Sequence, residues 1–258
     1  DGNTAVGMRA GLDLTTGANN TFVGAEVAQN VTTGADNVII GKAAGGTTLL
    51  ASGSVFIGRS AGGSVTTGNM NIAMGYDALN GAATTGDNNI AIGASAGDAM
   101  TSGYLNIMIG KEAGGAIING SNNICIGTGA ADVMTAGYKN VIIGTDAGSV
   151  LSTGHQNTMV GLNAGIATTT GNFNAFYGRD SAYYATTTSQ SVALGVNSGV
   201  GTTGNSNIGI GYGAINNDTC TGDNNIAIGR SAGDAITTTY GAILIGKDAG
   251  TALTTGGR

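Results

Sequence analysis

The sequence predicts an all-β fold, a parallel β-solenoid of fifteen repeats of about 17 residues each. Three observations lead there. A short motif, Asn-φ-x-φ-Gly with φ apolar, recurs along the whole chain. The composition is rich in glycine and poor in charge. The repeat is too short to hold a pair of helices.

The motif begins at Asn3, Asn20, Asn37, Ser54, Asn71, Asn89, Asn106, Asn123, Asn140, Asn157, Asn174, Ser191, Asn207, Asn225 and Ala242. Eleven of the fourteen intervals are 17 residues; the others are 18 (71 to 89), 16 (191 to 207) and 18 (207 to 225). The pattern leaves no linker, so residues 1–258 read as a single solenoid domain. The glycine that closes the first segment is present in every copy, from Gly7 to Gly246. Such uniformity points to a backbone need, either φ > 0 or a close approach between corners. Three places later stands a small residue, Ala in twelve copies, as at Ala44 and Ala96, which suits a tight corner. A second glycine closes a Thr-Thr-Gly segment in most copies, for example Gly17, Gly103 and Gly171. Two short extended segments and two glycine corners thus make one coil.

Helical repeats need about 33 residues or more. Glycines every few residues would also cost a helix about 1 kcal/mol each. A β-coil remains, each turn stacked on the last at about 4.8 Å, so fifteen turns give a rod of roughly 70 Å.

Composition agrees. The chain holds 49 glycines and no proline or tryptophan, and only 9% of its residues are charged. Yet 41% are hydrophobic, too many for a disordered tract. The net charge of −6, with scattered Lys and Arg, disfavours nucleic acid as a partner. No apolar run reaches the ~20 residues that cross a membrane. The chain does not begin with Met, and reads as a processed product or a segment of something longer.

Alternation along the first strand assigns its faces. The larger residues on either side of the central one, such as Ile90 and Ile92, Ile107 and Ile109, or Val141 and Ile143, are expected to fill the coil. Leu14, Val31, Val65, Met100, Ile117, Met134, Leu151, Ile236 and Leu253 of the second segment are expected opposite them. The central residue then points away from the coil. Phe22, Ile39, Phe56, Met108, Cys125, Ile142, Met159, Phe176 and Leu244 stand there, with Ala and Gly in other copies and nothing charged. An exposed apolar stripe is an interaction surface, so these residues are expected at an interface between copies of the chain, the alternative being a strand sandwiched inside a wider single-chain coil. Stacked asparagines at the motif's first position are expected to bond from rung to rung. Thirteen of the charged residues, among them Arg59, Asp77, Lys111, Glu112, Arg179 and Asp180, lie in the corner after the first glycine, a solvated rim.

The stretches NNIAIGASAG (88–97), NNICIGTGAA (122–131) and NNIAIGRSAG (224–233) resemble the head repeats of trimeric autotransporter adhesins, and equally the repeats of phage and phage-like tail-fibre proteins. The resemblance implies a left-handed parallel β-roll, three chains around an axis in a homotrimer, and attachment to a host-cell surface glycan or protein from an extracellular or virion location. The 17-residue spacing with Thr-Thr-Gly is more like the fibre-type proteins than the shorter adhesin-head repeat.

Catalytic constellations are not evident. His155 is the only histidine, and one His without a second ligand nearby makes no metal site. Glu26 and Glu112 stand five repeats apart, too far for the paired carboxylates of a glycosidase. No enzyme activity, cofactor or metal is expected. Cys125 and Cys220 are too far apart to pair and read as reduced fillers, Cys125 near the trimer axis and Cys220 in a Thr position. Thr-Thr pairs such as Thr15-Thr16, Thr32-Thr33 and Thr202-Thr203 raise a rival role, ice binding. The functional expectation is a structural surface-fibre module, a rigid spacer and attachment surface, with an autotransporter head as the alternative.

Overall fold

Each copy of the motif folds into a strand of three residues. The computed structural model describes residues 2–46, 50–81 and 83–256, so the outermost positions of the expected 1–258 domain lie outside it. The chain forms two compact units, residues 1–129 and 130–258. The first contains β1 (Thr4–Val6), β2 (Thr21–Val23), β3 (Val38–Ile40), β4 (Val55–Ile57), β5 (Ile72–Met74), β6 (Ile90–Ile92), β7 (Ile107–Ile109) and β8 (Ile124–Ile126). The second contains β9 (Val141–Ile143), β10 (Thr158–Val160), β11 (Ala175–Tyr177), β12 (Val192–Leu194), β13 (Ile208–Ile210), β14 (Ile226–Ile228) and β15 (Ile243–Ile245). Within each unit every strand pairs in parallel with the next in chain order, like residue on like residue, as Met108 on Cys125 and Met159 on Phe176. No helix occurs among the described residues. The architecture is a parallel β-solenoid.

Hydrogen bonding from coil to coil continues beyond the strands. Corner amides bond to the coil before, as Glu112 N–H to Ala94 O at 3.0 Å, or to the coil after, as Gly97 N–H to Ala113 O at 3.1 Å. The glycine after each strand has positive φ, and where another coil follows it also approaches that coil closely. Gly110 has φ +134°, and a methyl group placed on it would lie 2.5 Å from the carbonyl oxygen of Gly127 one coil on. Two residues later the backbone turns left-handed again, here through Ser95, Glu112, Asp146 or Asp180.

The faces of the strand are the reverse of the expectation. Phe22, Ile39, Phe56, Met108, Cys125, Ile142, Met159 and Phe176 are fully buried inside single coils. Leu244 points into the same column in the last coil and is part-buried. The eight fully buried residues are therefore core and not an interface between chains. Their flanking neighbours, Ile90 and Ile92 among them, face outward and are partly accessible. The reason is the asparagine. It precedes the central residue by two positions and so shares its face. That face is inside, because the asparagines after the first coil are buried.

The asparagines form a ladder. Asn106 shows the pattern: its backbone N–H and Nδ2 donate to Oδ1 of Asn89 at 3.0 and 3.1 Å, and Nδ2 also donates to the Gly120 carbonyl at 2.8 Å. Asn157 and Asn174 repeat it in the second unit, with Nδ2 and N–H of Asn174 both 3.0 Å from Oδ1 of Asn157. Both side-chain amide hydrogens of Asn106 and of Asn174 therefore have acceptors inside the buried coil, the condition under which a buried amide stabilises rather than costs.

The second-segment residues point inward as expected, but they meet the central strand residue, as Ile236 with Ala227, and not the flanking pair. Val31, Val65, Met100, Ile117, Met134, Leu151 and Ile236 are fully buried, and Leu14 and Leu253 in the end coils are partly so. Varied side chains fit one narrow coil because volume is traded between positions. Beside the Phe56 ring lies Gly62, where even a methyl would come within 2.6 Å. Where the centre shrinks to Ala73 and Ala91, the position of Gly62 is filled by Leu79, and where it shrinks to Gly209 and Ala227, by Ile215. Both adopt left-handed φ, +53° and +48°. That conformation costs an L-residue about 1–2 kcal/mol, less than the roughly 2–5 kcal/mol lost when such a core side chain is removed.

Candidate functional site

The outward strand face is a continuous apolar surface within each unit. It carries two side chains per coil. In the first unit β3 to β8 present Val38 and Ile40, Val55 and Ile57, Ile72 and Met74, Ile90 and Ile92, Ile107 and Ile109, and Ile124 and Ile126. In the second unit the columns run from Val141 and Ile143 to Ile243 and Ile245. Among the described residues, the only polar side chains on the face are those of Thr4, Thr21 and Thr158, besides the phenol of Tyr177, and none is charged. Backbone amides there are already spent on neighbouring strands, so the face offers only side-chain packing. Monomeric proteins seldom leave apolar surface this continuous in water.

Charges stand clear of it. Lys111–Glu112 (3.2 Å), Arg179–Asp180 (3.2 Å) and Lys247–Asp248 (3.4 Å) pair within the corner after the glycine, as the rim expectation has it. Exposed pairs of this kind add little stability, about 0–1 kcal/mol. Their effect is to keep the corner solvated. Arg59 and Arg230 lie over the rings of Tyr76 and Tyr212 at 5.5 and 5.9 Å.

The other singled-out residues occupy structural places. Glu26 and Glu112 sit in corresponding corners of separate coils, and the structure does not bring them together. His155 stacks on Tyr138 (centroids 4.5 Å apart, planes 7° apart) and meets the edge of Phe173 at 5.3 Å. Sequence reading missed this stack, although the 17- and 18-residue separations that align the three on neighbouring coils are visible in the repeat. Among the described residues no group of three or more His, Cys, Asp and Glu could hold a metal ion. No helix there is long and apolar enough to cross a membrane.

Both cysteines are free and buried. Cys125 points into its own coil and not outward, and burial pushes its thiol up to about 12. Cys220 stands in the first-threonine position, in register with Thr202, and packs inward with Ile215, Ala227, Ala232 and Ile236. Burial raises its pKa and the charge of Asp223 adds to the rise, while a hydrogen bond from the Gly222 backbone works against both.

The threonine pairs divide their hydroxyls. The first member donates to a carbonyl of the next coil, as Thr15 to Thr32 O (2.9 Å), Thr169 to Thr186 O (3.1 Å) and Thr202 to Cys220 O (2.8 Å). Only the second member, such as Thr16 or Thr203, is left fully to water, one column where ice-binding arrays present two.

The chain matches no protein-family model, and no curated protein sequence matches it. The geometry therefore carries the functional reading.

Proposed function

We propose that the chain is a structural fibre module that assembles with copies of itself through the outward strand face. The observation that carries this is the pair of uncharged, mainly Ile and Val columns beside a ladder with no free backbone groups. A partner that covers every rung must repeat at the strand spacing of about 4.8 Å. A second copy of the same solenoid has that period, and an ordinary globular surface does not. Three copies around an axis, the arrangement implied by the resemblance to tail-fibre and trimeric adhesin repeats, would enclose one such face from each chain. The assembly acts as a stiff spacer and attachment surface in a phage-like virion fibre or other extracellular filament. The 17-residue coil with its Thr-Thr-Gly segment favours the fibre over the head of a bacterial trimeric autotransporter adhesin. Catalysis has no part in this reading.

The test is the mass in solution of the chain and of an outward-face variant, Ile107→Lys with Ile109→Lys. The native chain should sediment as a trimer and the double variant as a folded monomer. Monomeric native protein would overturn the proposal.

A further inference from the structure

A short coil followed directly by a long one opens a notch. In an ordinary coil the first residue of the Thr-Thr pair stands eight places after the strand-closing glycine, as Thr186 after Gly178. The next coil uses seven, from Gly195 to Thr202, and the one after uses nine, from Gly211 to Cys220. Thr186 N–H donates to Thr202 O at 2.8 Å and Thr202 N–H to Cys220 O at 2.7 Å, so these three stay in register and the difference falls on the corner between. The short coil, which follows Tyr183 and Tyr184, is one corner residue short, and the long coil that carries Asn216 has one extra.

The result is a cleft of about 330 Å³ lined by Asn163, Asp180, Tyr183, Tyr184, Asn197 and Asn216. That lies at the small end of ligand clefts, which run to roughly 300–1,000 Å³. Tyr183 and Tyr184 meet edge to face, centroids 5.2 Å apart, and both are 39% exposed. Asn163, Asp180 and Asn197 occupy the same left-handed corner position in successive coils, with φ of 53° to 55°. Asp180 is held on two sides: Asn163 Nδ2 donates to its Oδ1 at 2.8 Å, and Arg179 Nε lies 3.2 Å from its Oδ2. Among the described residues the side-chain amides of Asn197 and Asn216 make no hydrogen bond within the chain.

We infer that this notch binds one unit of a neutral saccharide. A sugar ring has an apolar C–H face and a rim of hydroxyls that both donate and accept. Tyrosine supplies an apolar ring with a polar tip. Free amides supply donor and acceptor together, and a fixed carboxylate is a strong acceptor for hydroxyl pairs. An anionic ligand would face Asp180 across the notch, and the one nearby cation is already paired with it. A lone carboxylate is too few for a cation site. The inference rests on the attachment role proposed above and gives it a place.

Saturation-transfer NMR and calorimetric titration with methyl glycosides of glucose, galactose, mannose, fucose and N-acetylglucosamine test it. At least one should bind the native chain. Tyr183→Ala, Tyr184→Ala and Asp180→Asn should each weaken that binding tenfold or more. Tyr138→Ala, on the aromatic stack of other coils, should leave it unchanged. These side chains are on the surface, and far-ultraviolet dichroism and sedimentation of each variant should match the native chain. Failure of every glycoside to bind, or equal binding by the Tyr183, Tyr184 and Asp180 variants, overturns the inference. A trimer that binds no glycoside overturns the notch alone, whereas a monomer that binds one overturns the assembly alone.

Discussion

Replacing Asn89 with alanine isolates what the ladder contributes. The change removes four hydrogen bonds: Nδ2 to Asn71 Oδ1 (3.2 Å), Nδ2 to Gly103 O (2.9 Å), and the two that Oδ1 accepts from Asn106 N–H (3.0 Å) and Nδ2 (3.1 Å). Asn71 Oδ1 keeps the Asn89 backbone N–H at 2.8 Å. The Gly103 carbonyl, the Asn106 N–H and one Asn106 amide hydrogen lose their partners in a buried site. Each such group costs about 1–3 kcal/mol. A water entering the vacated space can satisfy part of this, so the expected loss is about 3–6 kcal/mol. Serine is the informative comparison, because the chain already uses it. Asn71 N–H donates to Ser54 Oγ at 3.2 Å, and Asn207 N–H to Ser191 Oγ at 3.0 Å. Asn89→Ser therefore keeps an acceptor for the next rung and should cost about 2 kcal/mol less than the alanine. Urea unfolding of the three proteins, followed by circular dichroism, measures the order. Equal stability of the serine and alanine variants, or an alanine cost under about 1 kcal/mol, would refute the view that inter-rung amide bonds hold the coils in register.

Three further outcomes follow from single positions. Gly110→Ala combines a conformation L-residues rarely adopt with a methyl 2.5 Å from the Gly127 carbonyl oxygen; a loss of at least about 3 kcal/mol is expected in the same denaturation assay. Ser181 Oγ is buried without a partner where twelve other coils carry alanine, so Ser181→Ala should stabilise the protein by about 1 kcal/mol, read as a higher melting temperature. Cys125 has a folded pKa of about 12 against an ordinary 9.0. The unfolded thiol loses its proton first, so its contribution is whole below about pH 9 and is lost as pH rises through about 12, at most roughly 4 kcal/mol. Comparing urea midpoints at pH 8 and 11 (about one unit inside and well past that threshold), the native chain should lose more than Cys125→Ala, whose replacement already stands at Ala73 and Ala91.

The repeat made the fold legible. Spacing, glycine positions and the Thr-Thr-Gly segment lead to a parallel solenoid with charged corners, and the structure has all of these. The two faces of the strand were misread for a physical reason. Hydrophobic size favours Ile90 and Ile92 as core over Ala91, yet the interior is set by Asn89, which must be buried to complete its bonds and carries Ala91 inward with it. An amide repeated in nearly every rung, two residues from the centre, was the available signal. The exchange of volume between Ala73 and Leu79, or Gly209 and Ile215, depends on contacts six residues apart across a corner, which strand alternation does not describe. The notch was present in the sequence only as a 16-residue interval followed by one of 18; that the deficit falls on the outer corner, beside two tyrosines, needed the coil's path.

Sedimentation equilibrium of the native chain bears most directly on self-assembly. Each chain is 25.0 kDa, so a trimer has a mass of about 75 kDa. That species is expected, and Ile107→Lys with Ile109→Lys should return it to about 25 kDa with its β dichroism intact. A native chain that stays at the monomer mass, with its columns of isoleucine and valine in water, would contradict it.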